Sequence, residues 1–327
     1  MERYEPMRRR LLRAACSTIA AAWAAPSSGV TVLDSTWRAE GGRRGREAQG
    51  LRAHVRLATQ AQFRPVLALA SDGSSWGEAS CTWIGNSAQH AFLLTAAHIF
   101  EDRPRPDDYQ VRGIDGRAHI PDRVWVHEEW NGEVDERAGF DLAVLRLPIT
   151  LSGMGPAPAL YTGDGEIGRL ITFVGYGMRG TGSTGEDERF STDGTKAAAQ
   201  GVVDEWVGVK KPRRGEDRGN TLGIFMPKED GSIPNHFGGP ERPVTRLVGL
   251  LGAGDSGGSA WMESGGEWVI VGVNSNGDGK AGYGDSSWFT RVSSHRKWIG
   301  RLFPGARFAA PPANEPGPSY LFRPGRL

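Results

Sequence analysis

From about residue 66 to residue 292 the chain is a succession of short apolar or alternating runs, separated by glycine, proline, asparagine and aspartate. Val66 to Ala70, Cys81 to Ile84, Ala91 to Thr95, Val124 to Val126 and Leu142 to Leu147 come first. Leu170 to Val174, Gln200 to Val207, Leu222 to Phe225, Ser259 to Met262, Trp268 to Val273 and Trp288 to Val292 follow. Short runs between turn signals predict strands, and the lack of alternating βα units predicts an all-β fold. Near the end the period changes. Trp298-Ile299 and Leu302-Phe303 recur at near-helical spacing behind Ser293-Ser294, which predicts a C-terminal helix with a serine cap.

The two ends read differently. Met7-Arg8-Arg9-Arg10-Leu11-Leu12-Arg13 is basic, Ala14 to Ala25 is weakly apolar, and Ala22-Trp23-Ala24 offers a small-residue cleavage site. Residues 1–24 therefore read as an export signal of twin-arginine appearance, which implies a secreted or periplasmic product. The alternative is a basic, alanine-rich helix. Residues 25–60 are rich in Gly, Arg and Ser and read as a linker or pro-segment. Residues 305–327, with Pro311-Pro312 and Pro316-Gly317-Pro318, read as an extended tail. One folded region remains, over 61–304. No apolar run approaches the ~20 residues of a membrane span.

Composition sharpens this picture in three places. Glycine makes up 47 of 327 residues, about twice the usual ~7%, as many tight turns require. A net charge of +1 gives no argument for a nucleic-acid partner. Of two cysteines, Cys16 falls in the signal, so Cys81 has no partner for an intramolecular disulfide and reads as a small buried hydrophobe. The seven histidines show no H-x-x-x-H spacing and the cysteines no C-x-x-C, so neither a metal nor a cofactor is expected. The acidic residues between Glu101 and Asp108 could hold calcium but read better as a solvated loop, as does Lys210-Lys211-Pro212-Arg213-Arg214. The sequence leaves the oligomeric state open.

Three segments carry candidate chemistry. In Gly254-Asp255-Ser256-Gly257-Gly258 a serine sits between glycines, which let the backbone turn tightly and free adjacent N–H groups to converge on one point, as an oxyanion needs. An elbow of the G-x-S-x-G kind, or a plain turn, fits the pentapeptide too. Phe92-Leu93-Leu94-Thr95-Ala96-Ala97-His98 ends an apolar strand in small residues that leave the histidine ring approachable; a buried structural histidine is the alternative. In Phe140-Asp141-Leu142-Ala143-Val144-Leu145-Arg146-Leu147 an aspartate opens an apolar strand. It reads either as a turn cap or as a buried acid that needs a partner such as a histidine N–H.

Together, T-A-A-H, D-L-A-V-L-R-L and G-D-S-G-G, in that order, resemble the chymotrypsin/trypsin-like serine proteases. Val271-Gly272-Val273-Asn274-Ser275-Asn276-Gly277 looks like the family's substrate strand, and Trp288-Phe289-Thr290-Arg291-Val292 like its last strand. The resemblance covers roughly residues 61–304. It implies two six-stranded antiparallel β-barrels with a C-terminal helix, His98 and Asp141 coming from the first barrel and Ser256 from the second. It also implies a secreted endopeptidase acting on protein or peptide, with Ser256 as nucleophile, His98 as general base and then acid, and Asp141 as its orienting carboxylate. Gly254 and Ser256 N–H groups would form the oxyanion hole. Ser275 would bond the Asp141 carboxylate, and Ser275 to Gly277 would pair with the peptide. By the same resemblance Leu250 would form the base of the P1 pocket and Gly277 and Ser287 its walls, which implies a neutral or apolar P1 residue, with Asp278 and Asp285 in loops nearby.

The chain departs from the family pattern in several places. Ile99 stands where a cysteine that would bridge Cys81 is common. Ser259 replaces a proline and Asn276 an aromatic residue. No Ile-Val-Gly-Gly-like segment offers a free amine for Asp255; cleavage after Arg56 would yield the poorly matching Leu57-Ala58-Thr59-Gln60. Two rival functions stay open: a non-catalytic binding protein on the same fold, and an α/β-hydrolase esterase recruiting Asp285 and His295. Ser256, Asp285 and His295 supply the Ser-Asp-His order the second needs, but the chain lacks its alternating βα units.

Overall fold

A computed structural model describes residues 30–71, 73–100, 104–132, 139–190, 194–208 and 219–313. The export signal, the Lys210 to Arg214 run and the last part of the tail lie outside these residues. Each apolar run named above overlaps a strand, and the chain is mostly β.

Two sheets dominate. In the first, seven strands lie in the spatial order Ala118–His119, Tyr109–Arg112, Val66–Ser71, Ala79–Asn86, Ala91–Thr95, Ala143–Leu147, Arg123–Val126. This sheet is a half-barrel: its two outermost strands do not pair with each other among the described residues. In the second, Ser259–Ser264, Leu170–Gly175, Ala197–Val207, Thr221–Phe225, Ser286–Arg291 and Glu267–Gly277 follow one another. Pairing of Ser259–Ser264 back onto Glu267–Gly277 closes a six-stranded barrel. Ala159–Tyr161 and Arg307–Ala309 add to it in parallel, so the start of the Pro-rich tail is tied to the barrel.

Alternation explains how one strand serves two cores. Leu67, Leu69, Cys81, Leu93 and Leu145 point into the half-barrel. Their neighbours Val66, Phe92, Leu94 and Val144 point the other way, into a layer shared with Val174, Trp261 and Ile270 of the closed barrel. Strands buried on both faces read as unbroken apolar runs, as these do. Cys81 is fully buried and unbridged, and burial pushes its thiol up.

Residues 30–60, read from composition as a linker or pro-segment, are folded. Thr31–Val32 pairs with Gly180–Thr181 on one side and Gly249–Leu250 on the other. Val30, Val32, Leu33 and Leu51 sit in the core of the closed barrel. Helix Arg52–Ala58 packs on the strand Ala197–Val207, with His54 Nδ1–H donating to Ala198 O at 2.8 Å. The Gly/Arg/Ser background hid these few apolar positions.

The C-terminal helix, Arg296–Leu302, forms where the spacing placed it and buries Trp298 and Ile299. Its cap differs from the expectation. His295 occupies the N-cap position without a side-chain cap bond, and Ser294 Oγ–H donates instead to Gly219 O at 3.1 Å. No described helix is long and apolar enough to cross a membrane.

Candidate active site

His98 and Asp141 meet because their strands are neighbours. Ala91–Thr95 pairs antiparallel with Ala143–Leu147 in a register that sets Thr95 opposite Ala143. A single 3-10 turn, Ala97–Ile99, carries His98 off one strand end, and Asp141 lies just before the other. The contact is double: the His98 backbone N–H donates to Asp141 Oδ1 at 2.8 Å, and ring Nδ1–H donates to Oδ2 at 2.7 Å. Asp141 is 4% exposed.

Ser256 reaches this pair from the closed barrel. Its Oγ–H donates to His98 Nε2 at 2.8 Å. The turn that holds it depends on glycine. Gly257 has φ +80°, and a Cβ there would lie 2.1 Å from Thr95 Oγ1 and 2.2 Å from Ser80 O. A Cβ on Gly258 would strike Val174 O at 2.1 Å. Gly254 has φ +90°, a left-handed conformation open to glycine. The N–H groups of Gly254 and Ser256 donate to no protein acceptor among the described residues, so both remain available to a ligand oxygen.

Ser275 reaches Asp141 through a bulge. In the pairing of Glu267–Gly277 with Ser286–Arg291 the register shifts between Asn274 and Asn276, leaving Ser275 as the extra residue. A bulge re-aims a side chain, and Ser275 Oγ–H donates to Asp141 Oδ2 at 2.5 Å.

The electrostatics follow from burial and pairing. Burial alone would push the Asp141 carboxyl up. The His98 charge and the hydrogen bonds from His98 and Ser275 outweigh it and hold the carboxyl below the usual range. Burial likewise opposes charge on His98, yet the Asp141 carboxylate lifts the imidazole above an ordinary histidine. Asp255 lies fully buried behind the serine. Its Oδ2 accepts the N–H of Val30 at 3.0 Å and of Gly252 at 2.9 Å, and its Oδ1 that of Gly177 at 2.9 Å. Burial pushes its carboxyl up to about 6, against these bonds and the Arg179 charge. Val30 makes its bond to Asp255 at φ +71°.

A cavity of about 430 Å³ adjoins Ser256, walled by Ser275 to Ala281 on one side and Leu251 to Ala253 on the other. Ser275 and Gly277 line it as expected. Leu250 does not: it is fully buried, paired with Thr31, and belongs to the barrel core. Ser287 is buried too, its Oγ accepting the Leu251 N–H at 3.1 Å from outside the cavity. Asp278 lines the cavity, whereas Asp285 folds its Oδ2 onto the N–H groups of Lys280 and Gly282.

Glu186 also lines this cavity, and the sequence pattern gave no sign of it. It arrives from the Gly180 to Glu186 hairpin. Its N–H donates to Lys280 O at 2.8 Å, and its Oε1 accepts the Ala253 N–H at 2.6 Å. Burial raises its carboxyl. The cavity wall therefore carries two carboxylates, Glu186 and Asp278, against one ammonium, Lys280 at the exposed rim.

Among the described residues no group of three or more His, Cys, Asp or Glu side chains is placed to hold a metal ion. Asp107 and Asp108, within the acidic stretch considered for calcium, are exposed beside Arg105. No protein-family model and no curated protein matches the chain.

Proposed function

We propose that this chain is a serine endopeptidase with the two-barrel architecture of the chymotrypsin-like enzymes. The observation that carries the reading is the unbroken hydrogen-bonded line Ser256–His98–Asp141, set beside two unused backbone N–H groups.

The geometry supports the following chemistry. Serine is a weak nucleophile until a base takes its proton. His98 Nε2 accepts the Ser256 proton as Oγ attacks the peptide carbonyl. The resulting imidazolium is held by Asp141, whose two oxygens already bond His98. The carbonyl oxygen becomes an oxyanion facing Gly254 and Ser256 N–H; one such donor is worth ~3 kcal/mol of barrier in comparable sites. His98 then protonates the departing amine. Water, deprotonated by His98, attacks the ester and returns the Ser256 hydroxyl.

The apolar P1 expectation rested on Leu250, which lies outside the cavity. Its walls instead support a P1 side chain ending in a cation or hydrogen-bond donor, received by Glu186. The test of the overall reading is hydrolysis of an unstructured protein by the purified chain. Wild type should cleave internal peptide bonds and Ser256→Ala should not. Turnover of simple esters without peptide cleavage would favour the esterase reading, and no turnover of either would favour a binding protein.

A further inference from the structure

A second cavity, of about 250 Å³, lies against Tyr176, which directly follows the strand Leu170–Gly175 of the closed barrel. Arg64, Arg112 and Lys196 line it with Tyr176, and no carboxylate is among its described lining residues. Lys196 is mostly buried; its ammonium donates to Phe63 O at 2.7 Å and Val66 O at 3.1 Å, which pins the charge in place. Arg64 Nη1–H donates to Gly153 O at 3.1 Å. Neither the Arg112 guanidinium nor the Tyr176 hydroxyl has a protein hydrogen-bond partner among the described residues. The nearby Asp115 is engaged elsewhere: its Oδ1 accepts the Arg117 N–H at 3.0 Å.

Three cations around one small space, without a counter-charge, repel one another. Burial together with Arg64 already depresses the Lys196 ammonium to about 8. An entering carboxylate would relieve that repulsion and collect charge-assisted hydrogen bonds.

Hydrogen bonds tie this cavity to the serine turn. The Ser80 N–H donates to Ser256 O at 2.8 Å. Ser80 Oγ–H donates to Gly254 O at 3.2 Å and accepts the Tyr176 N–H at 3.1 Å. Ser80 and Tyr176 thus sit against the backbone of Gly254 and Ser256, and neither lines the cavity walled by Ser275 to Ala281. We propose that Arg64, Arg112 and Lys196 form a subsite for a carboxylate of the substrate, borne by an Asp or Glu side chain a few residues C-terminal to the scissile bond. This rests on the endopeptidase reading.

The test uses quenched peptides, amidated at the C-terminus and identical on the acyl side, with Glu or Gln at the second to fifth position after the scissile bond. A free-acid form of the Gln peptide separates a terminal carboxylate from a side-chain one. An anilide with the same acyl half and no downstream residue reports the serine site itself. In wild type, Glu at one or two positions should raise kcat/KM about tenfold, mostly through KM. That ratio should fall to within about twofold in Arg112→Gln and persist in Arg112→Lys. Equal rates for Glu and Gln peptides in wild type would overturn the proposal, as would a Glu advantage that survives in the Arg64→Gln/Arg112→Gln double variant. A gain confined to the free acid would overturn the side-chain assignment. Titrating the Glu and Gln peptides into Ser256→Ala protein reads the subsite without turnover. If neither peptide nor anilide is cleaved, the endopeptidase reading fails, while equal binding of the two peptides would sink the subsite alone.

Discussion

At the scale of single residues, the proposed chemistry turns on one imidazole. His98 serves as a base only when neutral, and Asp141 holds it above an ordinary histidine. Activity should therefore fall as pH drops through an apparent pKa above 6.5, measured as kcat/KM against pH. Asp141→Asn keeps the shape but removes the charge and disturbs the tautomer. It should cost about 10⁴-fold in kcat. Loss of less than tenfold would mean that Asp141 does not orient the ring. Under the proposed function, Glu186 would set selectivity. The Glu186 carboxylate, bonded through only one of its oxygens among the described residues, should favour substrates with Arg or Lys at P1 over Phe or Leu. Glu186→Gln should cut that preference about tenfold. A peptide-library profile unchanged by the substitution, or dominated by apolar P1, would remove Glu186 from the pocket's function.

At the scale of elements, buried polar groups fasten loops to strands. Arg291 and Glu166, both fully buried, form two bonds at 2.8 and 2.9 Å, and Arg291 also donates to Gly163 O and Gly219 O. Glu166→Gln leaves a buried guanidinium without its counter-charge. It should cost about 3–5 kcal/mol in urea unfolding; a loss under about 1 kcal/mol would show the pair to be dispensable. The segment leading to Asp141 is held by two neutral histidines. Glu129 N–H donates to His127 Nδ1, His127 Nε2–H to His295 Nδ1 at 3.3 Å, and His295 Nε2–H to Gly139 O at 2.7 Å. Burial lowers both rings, His295 to about 4, with Arg301 opposing and Glu128 and Glu129 favouring charge on His127. Because the folded pKa values lie below the unfolded one, this stability is complete above pH 6.5. It drains away as pH falls toward 4, where the unfolded chain takes up protons that the folded chain refuses. Thermal midpoints should decline over that window in wild type and less steeply in His295→Gln; equal slopes would contradict the arrangement.

At the scale of the whole molecule, the features legible in sequence were those written locally. Strand runs, the three signature segments and the C-terminal helix each depend on a short stretch of chain, and the structure brings His98, Asp141 and Ser256 together through strand register. The features that escaped depend on closure between distant segments. Leu250 was assigned by its offset from Ser256, but it pairs with Thr31, from a region that composition disguised as a linker. Glu186 enters the cavity only because its hairpin docks on Lys280 and Ala253. Val30 reaches Asp255 across 225 residues of sequence. No local pattern marks such contacts. His98 and Asp141 come from the half-barrel and Ser256 from the turn that enters the closed barrel, so the hydrogen-bonded line through them exists only in the assembled fold.

We propose that the folded chain makes Ser256 a nucleophile through His98. Intact mass and peptide mapping after reaction with a fluorophosphonate measure this most directly. One adduct per chain, located on Ser256, absent from His98→Ala and from urea-unfolded protein, is the expected result. Folded protein that stays unlabelled, or that labels equally without His98, would contradict it.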